Sequence, residues 1–225
     1  MEIKIHRGLD QIGGCITEIW TDTSRVFIDF GQNLPGNGEP STPEEDEKMV
    51  ESIFANNHKD HEAVFYTHGH EDHVGLMDYI PDDVPQYMSE GTKELQTIKY
   101  DILYDVAEKE VTELQSVHCD QQEYSDAVNR LIYADNRGKL LNGMTVWKRT
   151  APRKEPESIV IVDIKVFPFF NSHSIYDSHM FLIEADGKRI WHMGDYRQHG
   201  YLGKGLLPTL KKYATDIDVF ITEGT

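Results

Sequence analysis

Residues 67–75 read THGHEDHVG, and the six positions from His68 to His73 hold three histidines and two carboxylates. Imidazole nitrogens and carboxylate oxygens are the ligands favoured by borderline divalent ions such as zinc, and a catalytic site leaves one position for water. His68 and His70 are two apart in a loop leaving a strand, so both can turn toward one ion. Asp72 and His73 are adjacent; with a helix starting there, they sit in its first turn and face a second ion. Glu71 is expected to point away. A polar strand-to-helix cap that happens to be rich in histidine is the bland alternative, and it leaves the H-x-H-x-D-H spacing without a reason.

Outward from the motif, AVFYTHGH reads as a short buried strand ending at His68 and His70. Upstream, Glu2 to His6 alternate, Gly13-Gly14 marks a turn, and CITEIW with RVFIDFG form a hairpin around the polar TDTS. Residues 31–43 are rich in Gly, Pro and Asn and read as a loop. Thr42, Pro43 and Glu45 mark a helix start with a capping box, continuing through MVESIFANN. Downstream, TKELQTIKYDILYDVAEKEVTELQSV and YSDAVNRLIYA carry apolar residues at helical spacing and predict two helices, an insert over about 90–145. From 159 strands return: IVIVDIKVFPFF, then HMFLIEA, a turn at ADGK, and RIWHMGD. A helix, LLPTLKKYA, and a strand, DVFIT, follow. The layout is mixed α/β, read as one domain over 1–225 with the helical insert.

Composition bounds the partners. The 225 residues carry a formal net charge of −17, which argues against a broad phosphate-binding face. It leaves a nucleic-acid substrate open, because a bound metal pair supplies positive charge locally. The basic run WKRTAPRK, 147–154, reads as a solvated loop. No apolar run approaches the roughly 20 residues that span a bilayer, and the N-terminus lacks a signal-peptide pattern, so a cytoplasmic protein is expected. Cys15 and Cys119 are expected to be reduced thiols.

HGHEDHVG resembles the signature of the metallo-β-lactamase fold hydrolases, and further segments match in order. Asp29 in FIDFG resembles the strand-end aspartate that orients the motif loop without being a ligand. His173 in FFNSHS resembles the third segment, a ligand of the first ion, and Asp195 in HMGDY the fourth, a carboxylate bridging two ions. The text around them is similar to the ribonuclease J-like, β-CASP branch: THGHEDH, HSIYDS, GDY, the opening DQIGGC-x-x-E and the closing ITEGT. The resemblance implies an αββα sandwich and up to two zinc ions, with manganese as the substitute. His68, His70 and His173 would hold the first ion, Asp72 and His73 the second, and Asp195 both. Asp72 would also orient the proton of a metal-bound hydroxide acting as nucleophile. His179 is a candidate substrate contact.

Two departures bear on these expectations. The resemblance leads one to expect a later histidine completing the second ion's shell, and nothing after Asp195 supplies it, His199 reading as solvent-facing. The family would continue beyond a segment like ITEGT, so the C-terminal part of the fold is expected to be missing and the second site weak. His6, His58, His61 and His118 read as core or surface residues, and His192 as a strand residue on the opposite face. The function expected of the intact protein is a metal-dependent RNA phosphodiesterase, self-associating, with no membrane partner. The alternatives are a hydrolase of small esters, thioesters or lactones, and a metal-binding fragment or interaction protein without activity. These 225 residues alone are expected to be inactive.

Overall fold

A computed structural model describes residues 1–34, 41–116, 120–148 and 156–223. They fall into two compact units, one of residues 1–92 with 145–225 and one of residues 93–144. In the first unit β1 (Glu2–Arg7), β2 (Ile16–Trp20) and β3 (Ser24–Ile28) form an antiparallel meander. β4 (His61–Phe65), β5 (Gln86–Ser89) and β6 (Thr145–Trp147) extend it as parallel strands, giving the order β1-β2-β3-β4-β5-β6. The second sheet runs β11-β10-β9-β8-β7, from β7 (Ile159–Ile161), β8 (Ile164–Phe170), β9 (His179–Ala185), β10 (Lys188–His192) and β11 (Val219–Ile221).

Alternation on each strand sorts side chains between layers. Val26, Ile28, Ala63 and Phe65 of the first sheet meet Val166, Phe181, Ile183 and Ile190 of the second in one buried cluster. On the outer face of the first sheet, Phe27 packs against Phe54 of α1 (Pro43–Ala55), with ring centroids 5.1 Å apart. On the outer face of the second, Trp191 and Phe169 cluster with Leu206, Leu210 and Tyr213 of α6 (Leu206–Tyr213). The first unit is therefore an α/β/β/α sandwich.

α1 begins as its sequence dictates. Thr42 Oγ1 accepts from Glu45 N at 3.2 Å, and Thr42 N donates to Glu45 Oε2 at 2.8 Å, closing a capping box before Pro43. Its last turn carries no basic residue. Arg25 of β3 supplies the charge instead, fully buried, donating to Asn56 O at 2.6 Å and Ile53 O at 3.2 Å while paired with Glu62 and Glu18.

Three readings of the sequence need correction. IVIVDIKVFPFF is a hairpin rather than a single strand, turning at Val162 with φ 53°. A β-branched residue there gives no turn signal. β5 and β6 were not legible, being short strands of QYMS and TVW. The second helix of the insert runs past Ala134 to Gly143, because Arg137 and Leu141 continue the buried stripe of Ala127 and Ala134. In the second unit α3 (Glu90–Ser116) and α4 (Gln121–Gly143) are antiparallel: Glu110 pairs with Arg130 at 2.7 Å, and Lys93 Nζ donates to Met144 O at 3.0 Å. Cys119, His118 and Arg149 to Lys154 of the basic run lie outside the described residues. Among the described residues no helix is long and apolar enough to cross a membrane.

Candidate metal centre

The site forms where β3, β4, β8 and β10 end. Asp29 follows β3 in a left-handed conformation, φ 63°, that an aspartate tolerates better than most residues. Fully buried, its carboxylate accepts from Thr67 N at 2.7 Å, Thr67 Oγ1 at 2.8 Å and His73 Nδ1 at 2.7 Å. These bonds set proton positions. A carboxylate only accepts, so His73 Nδ1 carries its hydrogen and Nε2 is the outward atom. Thr67 Oγ1, having given its hydrogen to Asp29, accepts from His68 Nδ1 at 3.0 Å, which turns His68 Nε2 toward the site.

The short helix α2 (Glu71–Val74) starts at its N-cap His70 and carries Asp72 and His73. It is held by backbone bonds to the chain after β3: Phe30 N to His73 O and Gln32 N to Glu71 O, both 2.9 Å. The approach is close enough that a Cβ on Gly31 would stand 1.6 Å from Asp72 O, and one on Gly13 (φ +75°) 2.8 Å from Asp72 Oδ2. His173 arrives on the loop after β8, and Asp195 on the turn after β10. Asn171 ties the two together, its Nδ2 donating to Asp195 O at 2.9 Å and Met193 O at 3.0 Å.

Among the described residues two groups have ligand atoms within 4.8 Å of one another: His68, His70 and His173, and His68, His73 and Asp195. His68 Nε2 and His70 Nδ1 are 3.0 Å apart, and the two carboxylate oxygens of Asp195 stand 3.4 Å from His73 Nε2 and 3.6 Å from His173 Nε2. Asp72 joins neither group, though its Oδ2 is 3.6 Å from His73 Nε2. Asp195 thus lies between the histidines of both groups.

The electrostatics suit a cation. Burial first, then the neighbouring histidines, hold His68 well below its usual 6.5; burial likewise lowers His70 and His173 against the pull of nearby carboxylates. All three are neutral and ready to donate lone pairs at pH 7. Asp195 is lowered, its burial outweighed by His73, His173 and His70. His73 goes the other way: burial opposes its charge, but Asp29 and Asp195 raise it well above 6.5. Its Nε2 is nonetheless buried and makes no well-formed hydrogen bond, only long contacts to Asp195 at 3.4 Å and Asp72 at 3.6 Å. A buried polar atom left so is costly, and a divalent ion among these nitrogens and oxygens would satisfy it while replacing the proton. The donor set fits zinc or a similar ion.

A cavity of about 610 Å³ opens beside His73 and Asp195, lined also by Gly8 to Gly13, Cys15, Thr17, His192 and Glu223. Cys15, Thr17 and Glu223 fall in the matched DQIGGC-x-x-E and ITEGT segments, but the sequence marks neither them nor His192 as site residues. His192 corrects an expectation. It shares its strand face with Ile190 of the inter-sheet core, so it points inward to the cavity and not away from the site. Burial pushes it down to about 4, and Nδ1 accepts from Gly194 N at 3.2 Å. Burial drives the Cys15 thiol up to about 12, and the residue is unpaired. His179, expected as a substrate contact, is 1% exposed; its Nδ1 donates to Asp177 O at 2.8 Å and its ring packs on Trp147. The structure gives it a buried packing place, with its backbone N–H donating to Thr67 O at 2.8 Å beside the motif. His199 is exposed at the N-cap of α5 (Gly200–Gly203), and among the described residues no later histidine joins the groups.

Comparison with known proteins decides the fold. A subclass B3 metallo-β-lactamase, MEM-A1 from a soil metagenome library, superposes with a TM-score of 0.50 at 14% identity, over 93% of this chain and 72% of that one. This chain has the metallo-β-lactamase fold. A protein of unknown function from Enterococcus faecalis V583 superposes with a TM-score of 0.64 at 20% identity, over 99% of this chain and 49% of that one. In sequence, an RNase J-like protein of Methanocaldococcus jannaschii is 27% identical over 226 aligned residues, 99% of this chain and 42% of the relative. The chain thus spans less than half the length of either of these two. No family model matches it. Within the metallo-β-lactamase fold the cluster lies where strands of both sheets end, on the loops that carry HGHEDH, His173 and Asp195.

Proposed function

We propose that the protein is a metal-dependent hydrolase, and specifically a phosphodiesterase that cleaves RNA. The observation that carries the first part is Asp195 set between His73 and His173, joining two groups of neutral or displaceable imidazoles around one space. Similarity to an RNase J-like protein along nearly the whole chain supports the second part. His68, His70 and His173 would hold one ion, and His73 with Asp195 the other, Asp72 lying close enough to join it. When bound, two divalent ions, zinc or manganese, acidify water and polarise a phosphoryl oxygen. The chain's own residues do the rest. Asp29 fixes His73 with Nε2 facing the site, and Thr67 does the same for His68. Asp72, its Oδ2 3.6 Å from His73 Nε2, would orient the proton of the attacking water. The apolar sandwich below backs the buried His68 and His73, and a low-dielectric wall strengthens the field at the reacting phosphate.

The test is cleavage of a 5′-labelled oligoribonucleotide by the chain loaded with zinc or manganese, beside a panel of thioesters and lactones. Fragments that vanish with EDTA and in Asp195→Asn, whose circular dichroism matches wild type, support the proposal. Turnover of thioesters with intact RNA would move the protein to small-molecule hydrolysis, which the net charge of −17 suits. No turnover of either overturns the hydrolase reading for this chain.

A further inference from the structure

We infer that Asn171 is a positioning residue for the metal centre: its side-chain amide sets Asp195 against His173, and the hold on a second ion depends on it. The inference rests on the two-ion reading above. His173 follows β8 and Asp195 follows β10, and β9 lies between those strands in the second sheet. Two strand spacings come to roughly 10 Å, too far for the backbones of β8 and β10 to bond each other. Beyond the strands the two loops nonetheless converge, until His173 Nε2 and Asp195 Oδ2 stand 3.6 Å apart.

Asn171 supplies the side-chain part of that convergence. It is 2% exposed, and its amide is used at both ends. Nδ2 donates to Met193 O at 3.0 Å and to Asp195 O at 2.9 Å, while Oδ1 accepts from Ser172 N at 2.8 Å. A primary amide carries two hydrogens on one atom and an acceptor on the other; a hydroxyl has one hydrogen and a carboxylate none. Met193 O and Asp195 O bracket Gly194, which has φ 55° and where a Cβ would stand 3.0 Å from Thr67 Cγ2. Gly194 N donates to His192 Nδ1 at 3.2 Å. The turn that carries Asp195 is thus held by Asn171 and pressed against Thr67, the residue that orients His68.

The two ligand groups depend on this amide unequally. The loop of His173 keeps backbone bonds of its own, from Asn171 N to Ser178 O at 2.8 Å and from Arg197 N to Ser172 O at 2.6 Å. No side chain enters either bond. The group of His68, His70 and His173 does not include Asp195, whereas the group of His68, His73 and Asp195 does. Asp195 Oδ1 stands 3.4 Å from His73 Nε2, a spacing that lasts only while the turn is held. Loss of the amide therefore loosens the second group and spares the first.

The experiment measures zinc binding, so it does not depend on turnover. Competition against a chromophoric chelator would compare the full chain as wild type, Asn171→Ala and Asn171→Leu, the last filling the amide's volume without its donors. Thermal unfolding in EDTA identifies the variants that fold, and either one alone carries the comparison. Each is expected to bind the second zinc about 10–100-fold more weakly than wild type and the first within about threefold. A merely structural role would weaken both ions together. That result, or two unchanged affinities in a folded variant, overturns the inference while the metal-binding reading stands. A wild type that takes up fewer than two zinc ions overturns the two-ion reading and the inference with it.

Discussion

Replacing Asp29 with asparagine tests how the ligands are oriented. Asparagine tolerates the left-handed backbone at φ 63°, so the change acts through the side chain alone. It swaps one acceptor oxygen for a donor among three donors that all point at it. With the amide nitrogen at the Oδ1 place, it faces Thr67 N–H, which cannot rotate away. One buried amide is then unsatisfied at about 1–3 kcal/mol, and a charge-assisted bond to His73 is weakened by a similar amount. With the nitrogen at the Oδ2 place, His73 must shift its proton to Nε2 to accept at Nδ1, and the atom that would hold metal is blocked. The first arrangement costs roughly 3 kcal/mol in total, a fall in melting temperature of about 6–12 °C for a chain of this size. The second costs about 10–100-fold in metal affinity. Thermal unfolding in EDTA and zinc competition against a chromophoric chelator would read the two losses separately. An Asp29→Asn protein equal to wild type in both measurements would refute the reasoning.

Other expectations follow from the same geometry. Without metal, stability falls as pH drops from 6.5: His192, lowered by burial to about 4, contributes stability that is complete above 6.5 and lost toward 4, worth about 3 kcal/mol. Burial gives His68 the same sign, whereas the contribution of His73, raised chiefly against its burial by Asp29, is full below 6.5 and lost as pH rises through its folded value. Urea titrations in EDTA from pH 4 to 8 should show an acid limb that is shallower in His192→Gln, and an equally steep limb would contradict this. Gly31→Ala, with its Cβ 1.6 Å from Asp72 O, should fail to fold or lose metal binding, whereas Gly138→Ala, with open space around it in α4, should gain about 0.5–1 kcal/mol in chemical denaturation. Arg25→Met leaves the buried carboxylates of Glu18 and Glu62 and two helix-end carbonyls without their donor, and should lower the unfolding free energy by about 3–5 kcal/mol in the same assay.

Much of the framework was readable from local chemistry. The Thr42–Glu45 capping box and the Asp186-Gly187 turn, both residues at positive φ, are dictated by residues within four positions of one another. So is the strand-to-helix passage that carries HGHEDH. What stayed hidden depends on partners distant in sequence. β5 and β6 become strands because each finds a parallel neighbour, β6 lying beyond a long helical insert. Val162 turns the chain between β7 and β8 where a valine has no preference to do so. His192 looked like an outward strand residue because period-two alternation does not say which face is the core; the pairing of Ile190 with Ile183 decides it.

The central claim is that the cluster around His68 holds metal, and metal content per chain tests it most directly. His68 belongs to both ligand groups, so His68→Ala should empty both. Elemental analysis after zinc loading and exhaustive dialysis is expected to find at least one tightly held ion per wild-type chain and none in His68→Ala. Wild type retaining no more zinc than His68→Ala would contradict the account.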